Sequence, residues 1–449
     1  MLTVNLPLKE RTEINLKYTL KSLLNKDITV ARGEESYCSR ILNHTIRSED
    51  YFNLKRVVKN IGVTERFKDV IDTFNVPEKI TPAGFRIEYD LEDDGLLRAD
   101  LIRDISYDEN GIKRPTKVLF SADTANPYEL EPISGMLANL TCNPGIIYDL
   151  FINNPKANTN NLFKTREEVM TEIGRILGPG CDISVELNNP FNESFEELLE
   201  EAEKFKEILS PYRVVIKVPH TGPVNAQNVS ELLKGDKKLG VRYNAGSTKD
   251  ALRGHNLALR FREEGYRINF TLMFEPYQAA LALQAKPYFI NSFIRHRLGQ
   301  TETIKRQLDL YKFTEDPIFL ADLRKLFIDN DYLSKNETDK DLFEIKKIGE
   351  RIVDYRKIND KEGIDGLDSA RHNLRMLKNV NLPDTRLIIC SMEGEYNYPA
   401  IDKLLIDPEF KDVLDRLVIT AEPNYLAAFT STNQVVSYQR RFMNAVNNK

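Results

Sequence analysis

Apolar and polar positions along the chain change rhythm at residue 118. Beyond it, apolar runs of strand length alternate with stretches of helical periodicity. VLFSAD (118–123) precedes a helix near 128–137. ANLTCN (138–143) precedes a helix, a loop rich in Asn and Lys, and a further helix near 165–177. DISVEL (182–187) leads into FEELLEEAEKFKEIL (195–209), and RVVIKV (213–218) into a longer connection ending in a helix near 248–264. INFTLMF (268–274) is followed by PYQAALALQA (276–285), and YFINSF (288–293) by a highly charged helical region over 301–378. RLIICS (386–391), a helix, RLVITA (416–421) and a last helix near 434–447 complete the series. Repeated strand–helix units imply a parallel sheet with right-handed crossovers, and eight of them suggest closure. The pattern predicts an α/β fold, a (β/α)8 TIM barrel. The stretch 301–378 is too long for one crossover helix and reads as a helical insertion between strands six and seven.

Within the strands, alternate residues belong to opposite faces. Ser121 and Asp123 fall on one face of the first strand, and Asn139, Thr141 and Asn143 on one face of the second. Ser184 and Glu186 share a face of the third, Val215 and Lys217 of the fourth, and Asn269 and Thr271 of the fifth. The opposite faces are apolar and suit a layer of helices. Five consecutive strands therefore turn polar groups toward the barrel interior, near the C-terminal ends where active sites of this architecture sit. Burying them together is expensive unless they pair or work.

The first 115 or so residues carry no such rhythm. Short apolar clusters, Ile14 to Leu24 and Phe67 to Phe74, alternate with charge, and the acidic stretch Tyr89 to Asn110 reads as loop or hairpin. Residues 1–117 are expected to be an N-terminal extension, a helical cap or oligomerisation segment, and residues 118–449 the barrel.

Composition narrows the function classes. The chain has 449 residues, 41% hydrophobic and 29% charged, with 63 basic and 68 acidic side chains. That is an ordinary globular balance, without the basic footprint of a nucleic-acid binder. No run of about 18 apolar residues offers a membrane span. Lys9, Glu10 and Arg11 come before any apolar stretch, so no secretory signal is expected. Cys38, Cys142, Cys181 and Cys390 are widely spaced and form no C-x-x-C pair. They read as small buried hydrophobes in a reducing compartment, which makes a cytoplasmic location the expectation. The five histidines, at 44, 220, 255, 296 and 372, have no metal-ligand spacing, so no metal is expected. His220 follows the strand of Lys217 and either lines the pocket or belongs to an inert loop. The acidic run 196–203 reads as a solvated helix face.

Lys217 lies in Val-Val-Ile-Lys-Val-Pro on the interior face. Desolvation favours a neutral amine, which can attack a ketone to form a Schiff base. Glu186 on the adjacent strand can move protons during that addition, and Asp123 can act as base on a substrate hydroxyl. Asn143, Asn269 and Thr271 can hold hydroxyls or a water. This is the equipment of a class I aldol reaction.

The motifs in this order resemble the transaldolase family, including its short fructose-6-phosphate aldolase-like members. They are Asp123-Thr124-Ala125-Asn126, Thr141-Cys142-Asn143-Pro144-Gly145, Ser184-Val185-Glu186, Ile216-Lys217-Val218-Pro219 with Thr221, Asn269-Phe270-Thr271-Leu272 with Phe274 and Gln278-Ala279, and Ile290 to Phe293. The resemblance covers 118–298 and, more faintly, 386–447. It implies a Schiff base on Lys217, with Asp123 as acid–base residue at the cleaved carbon–carbon bond. Glu186 and Thr271 would position the catalytic water, and Thr141, Asn143 and Asn269 would line the substrate hydroxyls. Glu186 and Phe293 resemble the transaldolase branch more than the aldolase branch. The family holds its substrate phosphate with a Ser and an Arg after strand six, and often an Arg after strand seven. Here Asn291 replaces the Ser, the Arg place falls on His296 or Arg297, and Glu393 stands where the second Arg would be.

The expectation is a cofactor-free, transaldolase-like transfer of a dihydroxyacetone unit between sugar phosphates, by a protein free to form a homo-oligomer. Two alternatives stay open. One is a Schiff-base aldolase or lyase acting on a different or unphosphorylated carbonyl compound, for which Glu393 argues. The other is a non-catalytic barrel that binds or assembles.

Overall fold

A computed structural model describes residues 3–5, 15–73, 85–108, 112–210, 212–356, 361–391, 397–420, 426 and 431–447. The chain divides into two compact units. One comprises Met1–Pro115, Leu177–Asp182 and Lys206–Arg213, the other Thr116–Ile176, Ile183–Phe205 and Val214–Lys449.

The first unit has an apolar core of its own. A four-stranded sheet runs in the order Thr29–Val30, Asn60–Val63, Leu96–Arg103, Phe85–Leu91. The first two pairings are parallel and the last is an antiparallel hairpin. Leu96–Arg103 alternates half-buried and buried positions, so Leu97, Ala99 and Leu101 pack with Ile61, Val63 and Phe67. The same face ends on Arg103, which meets Asp182, while Arg213 Nε lies 2.6 Å from the other oxygen of that fully buried carboxylate. Strands as well as helices build this unit. The charged residues between Leu97, Ala99 and Leu101 lie on the opposite side of a pleated strand.

The second unit is built around a closed eight-stranded barrel, which we number β1 to β8: Leu119–Asp123, Leu137–Cys142, Asp182–Glu186, Arg213–Pro219, Ile268–Met273, Phe289–Ile294, Arg386–Ser391 and Leu417–Thr420. The strand pairings described are parallel, and β8 closes on β1 with Ile419 opposite Phe120. Helices α1 (Arg166–Leu177), α2 (Phe195–Ile208), α3 (Arg253–Glu263) and α4 (Gln278–Gln284) occupy successive connections. In α2, Phe195, Leu198, Ala202 and Phe205 are buried at helical spacing. Its acids occupy the other face, and the backbone N–H of Glu197 donates to the Ser194 hydroxyl at 3.3 Å. Gly254 allows α3 to approach the end of β4, since a Cβ there would lie 2.0 Å from the Pro219 carbonyl oxygen. The helix expected near 128–137 is instead one short α turn, Pro127–Leu130, followed by a 3-10 turn, Glu131–Met136.

Between β6 and β7 run α5 (His296–Thr314), α6 (Ile318–Asp329), α7 (Leu342–Arg356) and α8 (Asp368–Asn379). The first three share a core of Ile304, Leu320, Leu323, Phe327 and Ile345. The fourth buries Ala370, Leu374 and Leu377 and packs on β6 and β7, as a crossover helix does. A last helix, α9, spans Asn433–Asn447.

Candidate active site

The interior side chains stack in two polar tiers. The lower tier is Ser121, Asn139, Ser184 and Asn269, all with 0% exposure. Asn139 Nδ2 donates to Ser121 Oγ at 2.8 Å, Ser184 Oγ to Asn139 Oδ1 at 3.4 Å, and Asn269 Nδ2 to Ser184 Oγ at 2.9 Å. These bonds satisfy buried groups that would otherwise cost about 1–3 kcal/mol each. They make this tier a floor. Asn269, expected on the substrate, belongs to it, although its Oδ1 is buried without a hydrogen-bond partner.

Two residues further along each strand lies the upper tier of Asp123, Thr141, Glu186 and Thr271. Lys217 begins in register with Asn269 on the floor, and its long stem carries Nζ to 3.0 Å from Glu186 Oε2. Thr141 Oγ1 donates to Asp123 Oδ1 at 3.3 Å, and Asn291 Nδ2 donates to Thr271 Oγ1 at 3.2 Å. Immediately after Thr271 the strand bulges, with Leu272 in the left-handed region at φ 62°. That conformation costs a leucine roughly 1–2 kcal/mol, and strain of this kind concentrates at functional sites.

Charge decides the resting state. Burial, the largest influence on Lys217, disfavours its ammonium, yet the carboxylates of Glu186 and Asp123 outweigh it and raise its pKa above that of an ordinary lysine. The neutral resting amine expected from desolvation alone is therefore corrected: Lys217 rests as an ammonium paired with Glu186. Asp123 moves the other way for a carboxylate. Desolvation pushes its pKa up, and attraction to Lys217 and the Thr141 hydrogen bond only partly offset this. One ammonium facing two carboxylates neutralises one of them, so the second binds a proton more tightly than an ordinary aspartate.

The position of Glu186 depends on a residue that the sequence reading missed. Arg166, at the start of α1, is almost fully buried and donates to the Glu186 carbonyl. It also pairs with Glu201 of α2 at 2.5 Å and lies 4.4 Å above the Phe205 ring. Glu201 in turn accepts from the Asn188 backbone at 3.0 Å. A buried arginine clamps the end of β3.

At the rim of β6, Phe293 stacks on Phe274 with ring centroids 4.7 Å apart, and the exposed His296 lies 5.3 Å from the same Phe274 ring. Arg297 is held by Glu275 at 3.0 Å and by Asp368, and Glu275 also pairs with Arg356 at 3.0 Å. Two arginines and two carboxylates thus cancel within one cluster. Among the described residues no group of three His, Cys, Asp or Glu side chains is placed to hold a metal ion.

Residues 120–321, somewhat under half of the chain, match the family model described as transaldolase/fructose-6-phosphate aldolase. Over that stretch the barrel resembles this family. No curated protein matches the chain. That match points to chemistry of the aldolase/transaldolase type.

The residues singled out from sequence do not all converge. Lys217, Glu186, Asp123, Thr141 and Thr271 occupy the upper tier, with Asn291 hydrogen-bonded to Thr271. Asn143 stands apart. Its Oδ1 accepts the Ile146 backbone N–H at 2.9 Å and caps the turn that follows β2. Arg297 is tied down by carboxylates, and Glu393 lies outside the described residues. His220 packs on Phe270 at 4.5 Å, and burial, with a contribution from His255, lowers its pKa to about 4. It is therefore a neutral ring at neutral pH. All four cysteines are buried and free. Among the described residues no helix is long and apolar enough to cross a membrane.

Proposed function

We propose that the barrel catalyses a transaldolase-type reaction through a Schiff base on Lys217. The observation that carries this reading is the buried Lys217–Glu186 pair at 3.0 Å beside Asp123. When a ketone enters, Glu186 takes a proton from the Lys217 ammonium. The freed amine adds to the carbonyl carbon, and the carbinolamine oxygen leaves as water with the proton from Glu186. The carboxylate form of Asp123 then removes the proton of the hydroxyl on the second carbon from the imine carbon. The bond between the hydroxyl-bearing carbon and the carbon next to the imine carbon breaks, its electrons pass to the iminium nitrogen, and an aldehyde departs from the enamine. Transfer is the reverse sequence with a second aldehyde, to whose oxygen Asp123 returns the proton. Thr271, oriented by Asn291, and Glu186 hold the water that finally releases product. The lysine supplies the electron sink, so the sequence needs no cofactor. Four buried free cysteines suit a reducing, cytoplasmic setting.

The family's name makes a ketose phosphate the first substrate to try. A second reading keeps the Schiff base but takes an unphosphorylated carbonyl compound, and the occupation of Arg297 by Glu275 and Asp368 favours it. The protein is incubated with fructose 6-phosphate or dihydroxyacetone, reduced with borohydride and mapped by mass spectrometry. The expected adduct sits on Lys217 and is lost in Lys217→Met. No adduct with either compound refutes the enzymatic reading and leaves a binding barrel.

A further inference from the structure

Asp123 does not end the site. Beyond it, between the loop after β1 and the turns after β2, opens a cavity of about 250 Å³ whose lining begins at Asp123 itself. A three- or four-carbon aldehyde fits such a space, since liquid water takes ~30 Å³ per molecule. Asn126, Glu129 and Asn154 bring polar groups to its wall, and Leu150 and Ala157 apolar ones. None of its described lining residues is a lysine or arginine. One wall is a π-helical turn, Ile146–Ile152, a rare conformation found disproportionately at functional sites. That turn presents Leu150, 63% exposed, to the cavity.

Direction matters as much as lining. In a ring of eight strands β2 stands opposite β6, so the cavity opens on the rim away from Arg297 and Arg356. A group leaving through Asp123 therefore moves into acidic, amide and apolar surroundings. A phosphate there would face Glu129 with no cation among the described lining residues to offset it.

Resting on the Schiff-base reading, we propose that this cavity receives the aldehyde half of the substrate, and that this half is an uncharged hydroxyaldehyde. The enamine carbon on Lys217 bonds to the aldehyde carbon in the cavity, and the aldehyde oxygen takes the proton of the Asp123 carboxyl. Cleavage breaks the same bond and returns the proton.

The test uses the full chain loaded with dihydroxyacetone, offered glyceraldehyde or glyceraldehyde 3-phosphate, with addition rates normalised to the amount of Lys217 adduct. The wild type is expected to favour glyceraldehyde at least tenfold in kcat/KM. Ala157→Phe, which fills the cavity, should lower the normalised glyceraldehyde rate at least tenfold. Leu150→Lys, at an exposed position, adds a cation and should move the preference at least tenfold toward the phosphorylated aldehyde, a gain that misfolding does not produce. A wild-type preference for the phosphorylated aldehyde overturns the inference alone, and so does indifference to both substitutions. Absence of any dihydroxyacetone adduct overturns the Schiff-base reading and this inference with it.

Discussion

Glu186→Gln isolates the charge that holds Lys217 protonated. At 3.0 Å, with the effective dielectric of about 20 that suits such pairs, the attraction is worth about 5 kcal/mol. At 1.36 kcal/mol per pKa unit that is an upper bound of roughly 4 units. Asp123 remains and retains part of the pull, so the expected fall in the Lys217 pKa is about 2–4 units. Burial, which opposes the ammonium, then acts nearly unchecked. The assay is a short dihydroxyacetone pulse quenched with borohydride across a pH series, with adduct read by intact mass. In the wild type the rate should keep climbing beyond the pH at which an ordinary lysine is half titrated. In the variant the midpoint should move down by those 2–4 units, while aldol turnover at neutral pH falls about 10²–10⁴-fold because the proton carrier is gone. An unchanged or higher midpoint refutes the electrostatic account of Lys217.

The remaining predictions concern stability. The Asp123 pKa is raised in the folded chain, so its contribution is full below the ordinary aspartate pKa of about 3.9 and is lost as pH rises through the folded value. Asp123→Asn should therefore raise Tm at pH 7.5, by about 2–4 °C for each kcal/mol relieved, with no gain at pH 3.5, while turnover collapses. A Tm unchanged or lowered at pH 7.5 contradicts this. Arg166→Met removes a buried charge from Glu201 and a donor from the Glu186 carbonyl, and should cost about 3 kcal/mol in urea unfolding. Arg166→Met with Glu201→Leu should recover a large part of that loss but not the rate of Lys217 adduct formation. Recovery of both would remove the link between the clamp and Glu186.

The barrel was legible in the sequence because its two faces differ in chemistry. Ser121 with Asp123, Asn139 with Thr141, and Ser184 with Glu186 recur at period two against an apolar opposite face, and the family model covers the strands that carry them. The first unit defeated the same reasoning. Leu97, Ala99 and Leu101 alternate just as cleanly, but Arg98 and Asp100 fall on their open side and an acidic hairpin precedes them, so composition hid the period. Partners were less legible than positions. Nothing near Arg297 in the chain announces Asp368, which a folded-back α8 delivers, and Arg166 looks like any charged residue opening a helix until Glu201 and Phe205 close over it.

Protonation was the least legible property. It depends on counting charges in a shared volume, and residue by residue Lys217 looked desolvated and neutral. Counted together, Lys217, Glu186 and Asp123 contain one positive charge and two groups competing for it. Glu186 wins by contact at 3.0 Å, which leaves Asp123, accepting from Thr141, as the carboxyl whose pKa is raised. A base for Lys217 and an acid for the aldehyde oxygen then arise from the same imbalance. Removing the Glu186 carboxylate should therefore alter the titration of Asp123.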